Sequence, residues 1–357
     1  MARSLMKGTE AIAEAAIQAG CKYFFGYPIT PQNEIPEYMS AHLPKAGGMY
    51  VQGESEVASI NMVMGGAATG YRVMTTSSSP GISLMSEGIS YIAMAELPCV
   101  IVNISRGGPG LGNILPAQAD YRQATSGGGH GDYNVIVLAP GNLQEAVDLT
   151  QDAFALSQKY RNPVMILADG FMGQMMEAVE IKPRQAEDPS TNADWALGWW
   201  KERGDKHLTI YSMHLDPDKL EPHNTRLQEK YARIRANEVR FEHFMVDDAE
   251  LVITAYGTTS RVCRSAINNL RAEGYKVGMV RPITLWPFPT AGYSNLPKSV
   301  KGILDVEMSA AFQMVDDVRL ATLCDLPIAT AGRWGGYSPT VRQIEEKCKE
   351  LLKNNQE

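Results

Sequence analysis

Four short stretches carry residues that could do chemistry. In GESEVASINMVMGGAATG (53–70) two carboxylates, Glu54 and Glu56, open a helical pattern. A carboxylate at a helix start suits the dipole, and that reading covers Glu54 well. Glu56 is followed by Val57, Ala58, Ile60, Val63, Gly65 and Gly66, so it can face a packed interior. Burial disfavours the charged form of a carboxyl and leaves a group that donates a hydrogen bond. In ISRGGPGLG (104–112) Arg106 follows an apolar run. A guanidinium there can grip a carboxylate through two parallel bonds, or it can make a structural ion pair with a nearby Asp or Glu. In GYPITP (26–31) Thr30 precedes a proline and a helical pattern, which reads as a helix N-cap with Pro31 at the first helical position. A cap hydroxyl at a strand end also faces a ligand. In TTSSSPG (75–81) the hydroxyls either cap a helix, the commoner use, or hold an anion at its N-terminus. Two further stretches, GGGHGD (127–132) with His130 and GRWGGYSPT (332–340), read as a glycine loop and a turn used for packing or an interface.

These stretches need elements that bring them together. Short apolar runs alternate with helical patterns from residue 8 to about 168, with strands expected near 23–27, 48–51, 72–76, 99–104, 135–138 and 164–168. Helices are expected at 8–18, 31–41, 56–69, 82–95 and 143–159, and a long glycine-rich loop at 106–132. The rhythm fails from about 173 to 248 apart from a helix at 225–240. It resumes with strands at 251–255, 276–280 and 302–305 and helices at 260–272, 310–323 and 340–352. The expectation is an α/β protein of two domains with mainly parallel sheets flanked by helices, divided as 1–172, a connecting arm 173–247, and 248–357. In such sheets ligands bind beyond the carboxyl ends of the strands, and all four stretches fall at such ends in the first domain.

Composition removes other classes. The 357 residues carry a net charge of −7, against what a phosphate-gripping nucleic-acid protein requires. The five cysteines are scattered, with no C-x-x-C, so neither a disulfide framework nor an iron–sulfur or zinc site built by this chain alone is expected. No apolar run is long enough to span a bilayer and no signal-peptide core opens the chain, so a cytoplasmic protein is expected. The glycines of 107–112 do not form G-x-G-x-x-G before a helix, and no phosphate-loop motif occurs.

GYPITP, the ESE-V-A-S-I run, TTSSSPG-I-S-L, the strand ending in RGGPG and the later VRPITLWPFP together resemble the 2-oxoacid:ferredoxin oxidoreductases, over nearly the whole chain. The match is to the pyrimidine-domain, alpha-type subunit, with most similarity to the 2-oxoisovalerate (3-methyl-2-oxobutanoate) branch. The resemblance implies a thiamine-diphosphate-binding fold followed by a transketolase C-terminal-like domain. It implies thiamine diphosphate as cofactor, with Glu56 hydrogen-bonding the aminopyrimidine ring so that the imino tautomer can take the thiazolium proton. It implies Thr30 as a substrate- and cofactor-contacting threonine and Arg106 as the arginine that meets the substrate carboxylate. The Gly-Asp-Gly motif that holds Mg²⁺ in thiamine enzymes is missing, as is any cysteine cluster. Partner subunits are therefore implied: one holding diphosphate and Mg²⁺, a gamma-type subunit, and a ferredoxin-like one with iron–sulfur clusters. The implied reaction is coenzyme A-dependent oxidative decarboxylation of a branched-chain 2-oxoacid with reduction of external ferredoxin. 2-Oxoglutarate or pyruvate are alternative substrates, and Arg122 is a candidate cation for a second carboxylate. A non-catalytic α/β scaffold is the contrasting class, and it would need no Glu56, Thr30 and Arg106 on adjacent loops.

Overall fold

The computed structural model describes residues 3–126, 128–184, 188–204 and 206–354. Gly127 of the GGGHGD stretch lies outside them. The alternating runs fold in chain order as β1 (Ser4–Lys7), α1 (Gly8–Gln18), β2 (Tyr23–Gly26), α2 (Glu34–His42), β3 (Met49–Gln52), α3 (Glu56–Ala68), β4 (Val73–Ser77) and α4 (Pro80–Met94). Then come β5 (Cys99–Ser105), α5 (Tyr121–Thr125), β6 (Ile136–Leu138), α6 (Leu143–Tyr160), β7 (Pro163–Asp169), α7 (Gly170–Gln174) and β8 (Met176–Val179). A long helix, α8 (Pro217–Asn237), crosses to β9 (Phe241–Phe244), β10 (Leu251–Thr254), α9 (Gly257–Ala272), β11 (Val277–Pro282) and β12 (Thr284–Trp286). The chain finishes with α10 (Ala291–Ser294), β13 (Gly302–Glu307), α11 (Val315–Ala321), β14 (Ile328–Gly332) and α12 (Val341–Asn354).

Strands β4, β5 and β7 are buried at every position, which requires helices on both faces of their sheet. That sheet has seven strands in the order β12-β6-β7-β5-β4-β2-β3. Its pairs are parallel except β12 against β6. A second sheet of five strands runs β14-β13-β10-β11-β9, parallel except for β9 against β11. β1 and β8 pair antiparallel and tie the start of the chain to the segment after α7. The two sheets interleave along the sequence: β12 follows the second sheet's β11 directly, yet it pairs with β6 of the first.

Three of the helix starts that differ from the sequence expectation have a local cause. α2 begins at Glu34, not at Pro31, so Thr30 is not its N-cap. The reason is Gln32, fully buried, whose side chain donates to the Tyr27 carbonyl (3.2 Å) and accepts from the Thr76 hydroxyl, holding 30–32 as a turn on the strand rim. α8 starts at Pro217, eight residues earlier than the expected 225, and carries Pro222 inside it. The carbonyl that Pro222 cannot reach belongs to Asp218, which is exposed, so water can take the lost bond. α11 is shorter than the expected 310–323. The buried Glu307 carboxylate accepts from the backbone N–H of Gln313 (3.1 Å) and Met314 (2.9 Å), so the chain turns helical only beyond it.

Candidate active site

Parallel pairing puts the carboxyl ends of β5, β4, β2 and β3 side by side in that order. Arg106, the serines 77–79, Thr30 and Glu56 therefore follow neighbouring strands on one rim. Ser55 caps α3, its hydroxyl accepting from Ala58 N (3.1 Å), and this leaves Glu56 as the first helical residue. Glu56 is 6% exposed, whereas Glu54 stands outside the helix in solvent. Among the described residues, the Glu56 carboxyl makes no hydrogen bond and no ion pair. It lies against Gly81 at the start of α4, where an added Cβ would stand 2.7 Å from Glu56 Oε1 and 2.0 Å from Ser77 Oγ. The hydroxyls of Thr75, Ser77 and Ser78 are buried without partners. The expectation that this run caps α4 fails: Ser79 is the cap residue, and its side chain makes no capping bond.

Arg106 is 7% exposed. Its two Nη atoms donate to the carbonyls of Thr30 (2.9 Å) and Leu111 (3.2 Å), and its Nε is buried without an acceptor. No carboxylate oxygen lies within 4.0 Å of it among the described residues, so the structural ion pair weighed from sequence is not formed. Backbone carbonyl dipoles thus hold the guanidinium in place. The Thr30 hydroxyl accepts from Asn33 Nδ2 (3.3 Å), which leaves its own hydrogen free to donate. Thr30 and Arg106 are joined directly; Glu56 stands further along the rim, beyond Ser77 and Gly81.

Sequence reading missed Asp120, Asn103 and Ser79 as a unit. Asp120 Oδ2 accepts from Ser79 Oγ (2.7 Å) and Asn103 Nδ2 (2.8 Å), and burial pushes this carboxyl up from its ordinary range. Beside them opens a cleft of about 730 Å³ between the two sheets' rims, lined by Ser79, Gly107–Gly110, Asp120, Met308, Gln313 and Trp334 among others. No Lys, Arg or His lines it among the described residues. Arg122 does not line it either and pairs instead with Asp316. His130 is exposed and faces a separate cavity with Tyr91 and His214. The 332–340 turn packs on the loop after Arg106, where Asn113 Nδ2 donates to the Gly335 carbonyl (3.1 Å).

The family described as pyruvate flavodoxin/ferredoxin oxidoreductase, thiamine-diphosphate-binding, matches residues 14–242, and the pyruvate:ferredoxin oxidoreductase core domain II matches 249–344. The chain belongs to the 2-oxoacid:ferredoxin oxidoreductase family. The rim described above falls within the family's thiamine-diphosphate-binding stretch. Ketoisovalerate oxidoreductase subunit VorB of Methanothermobacter marburgensis is 50% identical over 98% of each chain. The letter in that name differs from the alpha label expected above; motifs and domains, not letters, carry the membership. A 2-oxoglutarate:ferredoxin oxidoreductase of Magnetococcus marinus, solved with 2-oxoglutarate, coenzyme A and succinyl-CoA bound, superposes with a TM-score of 0.87 at 29% identity. The match covers 98% of this chain and 65% of that one. A split-gene transketolase, solved as an inactive beta4 tetramer, superposes with a TM-score of 0.60 at 12% identity over 98% of each chain, a likeness of fold alone. This oxidoreductase family thus accounts for both sheets of the chain, and the transketolase-like architecture expected from the motifs is the one observed.

Proposed function

We propose that this chain supplies the pyrimidine-side half of a thiamine diphosphate site in a 2-oxoacid:ferredoxin oxidoreductase, with Glu56, Thr30 and Arg106 as its working residues. One observation carries the proposal: Glu56 is 6% exposed as a residue, and its carboxyl makes no hydrogen bond or ion pair among the described residues. A buried carboxyl left unpaired is costly, and a ring nitrogen of the cofactor would satisfy it. The orphaned hydroxyls of Thr75, Ser77 and Ser78 nearby fit a polar ligand there. The bound cofactor supplies the electron sink for decarboxylation. Glu56 then holds a proton toward the ring, and the Thr30 hydroxyl donates toward the substrate. Arg106 binds the 2-oxoacid carboxylate, an interaction with the ground state that positions the substrate without itself driving carbon dioxide loss. Mg²⁺, diphosphate and the iron–sulfur clusters belong on this reading to partner subunits (a diphosphate-binding one, a gamma-type one and a ferredoxin-like one), since no group of metal-ligating side chains occurs among the described residues. The complex is read as cytoplasmic; no described helix is long and apolar enough to cross a membrane.

A branched-chain 2-oxoacid, yielding the acyl-CoA and reduced ferredoxin, is the favoured substrate. Support comes from the relative named for ketoisovalerate. 2-Oxoglutarate, the second reading, would require a second cation, and Arg122 is turned to Asp316. Glu56→Gln in the complex reconstituted with its partner subunits is expected to lower turnover by about two orders of magnitude or more while assembly survives. Undiminished turnover would remove Glu56 from the mechanism. The same complex assayed with 2-oxoisovalerate, 2-oxoglutarate and pyruvate decides the substrate.

A further inference from the structure

The residue between β4 and α4 holds a backbone conformation that side chains rarely take. Ser79 has φ 29° and ψ −85°. Such conformations persist only where their surroundings over-determine them. Here a closed ring of hydrogen bonds does so. Ser79 N donates to Asn103 Oδ1 (3.1 Å), Asn103 Nδ2 donates to Asp120 Oδ2 (2.8 Å), and Ser79 Oγ donates to the same Asp120 oxygen (2.7 Å). The ring reaches Arg106. Arg106 N donates to Ser79 Oγ (2.9 Å), so the backbone of the substrate-facing arginine hangs from the strained serine. Asn103 and Arg106 belong to β5 and its end, and Ser79 to the turn after β4. Asp120 alone comes from elsewhere, just before α5, and it stands 9% exposed on the cleft wall.

From this geometry we infer that Asp120 is a positioning residue for Arg106, acting through Ser79. The inference rests on the reading of Arg106 as the carboxylate-binding group. Without the Asp120 oxygen, Asn103 Nδ2 loses its acceptor, the Ser79 hydroxyl turns away, and the turn relaxes from φ 29°. The Arg106 N–H then loses its anchor, and the guanidinium shifts on its two carbonyl props. Because the fault lies in how the substrate is held, it should fall on substrate binding more than on the chemical step.

The test is a set of variants in the reconstituted complex. Asp120→Ala is expected to raise KM for the 2-oxoacid about tenfold while kcat falls less, and Asp120→Asn, whose amide oxygen can accept both bonds, to return KM to within about twofold of the parent. Thiamine diphosphate affinity, read by titration calorimetry on cofactor-free complex, should be unchanged in both. Ser79→Ala should reproduce the Asp120→Ala effect on KM; it also serves as the test should Asp120→Ala fail to assemble. In an Arg106→Ala background, Asp120→Ala should add less than about twofold, as coupled residues do. An unaltered KM in Asp120→Ala or Ser79→Ala, or full additivity with Arg106→Ala, overturns the inference. If Arg106→Ala itself leaves KM unaltered, it is the reading of Arg106 as carboxylate-binding that fails. An effective Arg106→Ala beside a silent Asp120→Ala sinks the positioning role alone.

Discussion

At the scale of single residues, Gly81 decides where Glu56 can stand. A methyl group there would sit 2.0 Å from Ser77 Oγ and 2.7 Å from Glu56 Oε1, both inside van der Waals contact. Ser77 Oγ has no partner to lose and can rotate, so the fold should accept Gly81→Ala, and alanine favours the helix over glycine by about 1 kcal/mol. Glu56 would have to yield. The expected outcome is a complex that assembles normally but binds thiamine diphosphate at least about tenfold more weakly by calorimetry, in line with about 1.4 kcal/mol lost at one contact. Unchanged affinity would mean that the carboxyl's position does not matter to the cofactor. The sequence distinguished Glu56 from Glu54 through the small and apolar residues after Glu56, and the structure buries the one and exposes the other. It could not reveal Asp120, whose partners lie 17 and 41 residues away and meet it only because β4 and β5 are neighbours. No periodicity encodes a contact of that kind.

At the scale of elements, α8 is seated by a buried cation. Lys230 is almost wholly inside, its ammonium 3.3 Å from Glu96 Oε1 and 3.2 Å from the Arg161 carbonyl. Burial pulls its pKa from 10.5 down to about 8, against the attraction of Glu96. Below pH 8 the lysine is charged in both folded and unfolded chains, and stability does not depend on pH through it. Between about 8 and 10.5 the unfolded chain binds the extra proton, so stability rises with pH across that window. Lys230→Met, which keeps the stem and removes the charge, should abolish that rise. The difference in unfolding free energy between parent and variant, from denaturant titrations, should therefore change between pH 7.5 and 10 by as much as about 2 kcal/mol. A constant difference would mean that Lys230 titrates normally. Sequence pattern was a good guide to elements whose own residues decide them: α1 spans 8–18 as expected, and the buried strands fall within a residue or two. It failed where a partner decides. β12 is three residues between prolines with no period to read, and it is a strand because β6 offers an open edge. The start of α11 is set by Glu307, a residue outside the helix.

At the scale of the molecule, the cleft exists only while the two sheets keep their relation, and three devices among the described residues help to hold it. β12 stitches the later sequence into the first sheet. Gln118, 3% exposed, donates to the Tyr256 carbonyl (2.9 Å) and accepts from Thr259 Oγ1 (2.6 Å) and Met308 N (3.0 Å), so it bonds to the ends of β10 and β13 at once. Arg281 of β11 reaches both Glu145 oxygens in α6 (2.8 and 2.9 Å) and Glu242 of β9 (2.8 Å). Removing one partner of a fully buried ion pair costs about 3–5 kcal/mol, because the other charge is stranded. The two glutamates here are about a third exposed, so water recovers part of that loss. Arg281→Ala should therefore cost about 2 kcal/mol in denaturant unfolding of the assembled protein, still well above an exposed pair. The control is Arg342→Ala, which breaks a solvent-facing pair with Glu346 and should cost about 0.5 kcal/mol or less. Equal costs for the two would show that the Arg281 clasp does not bind the sheets together. A larger cost at Arg281 accompanied by a higher KM would mean that the clasp also sets the far wall of the cleft, since Met308 and Trp334 follow β13 and β14 of the sheet that Arg281 anchors.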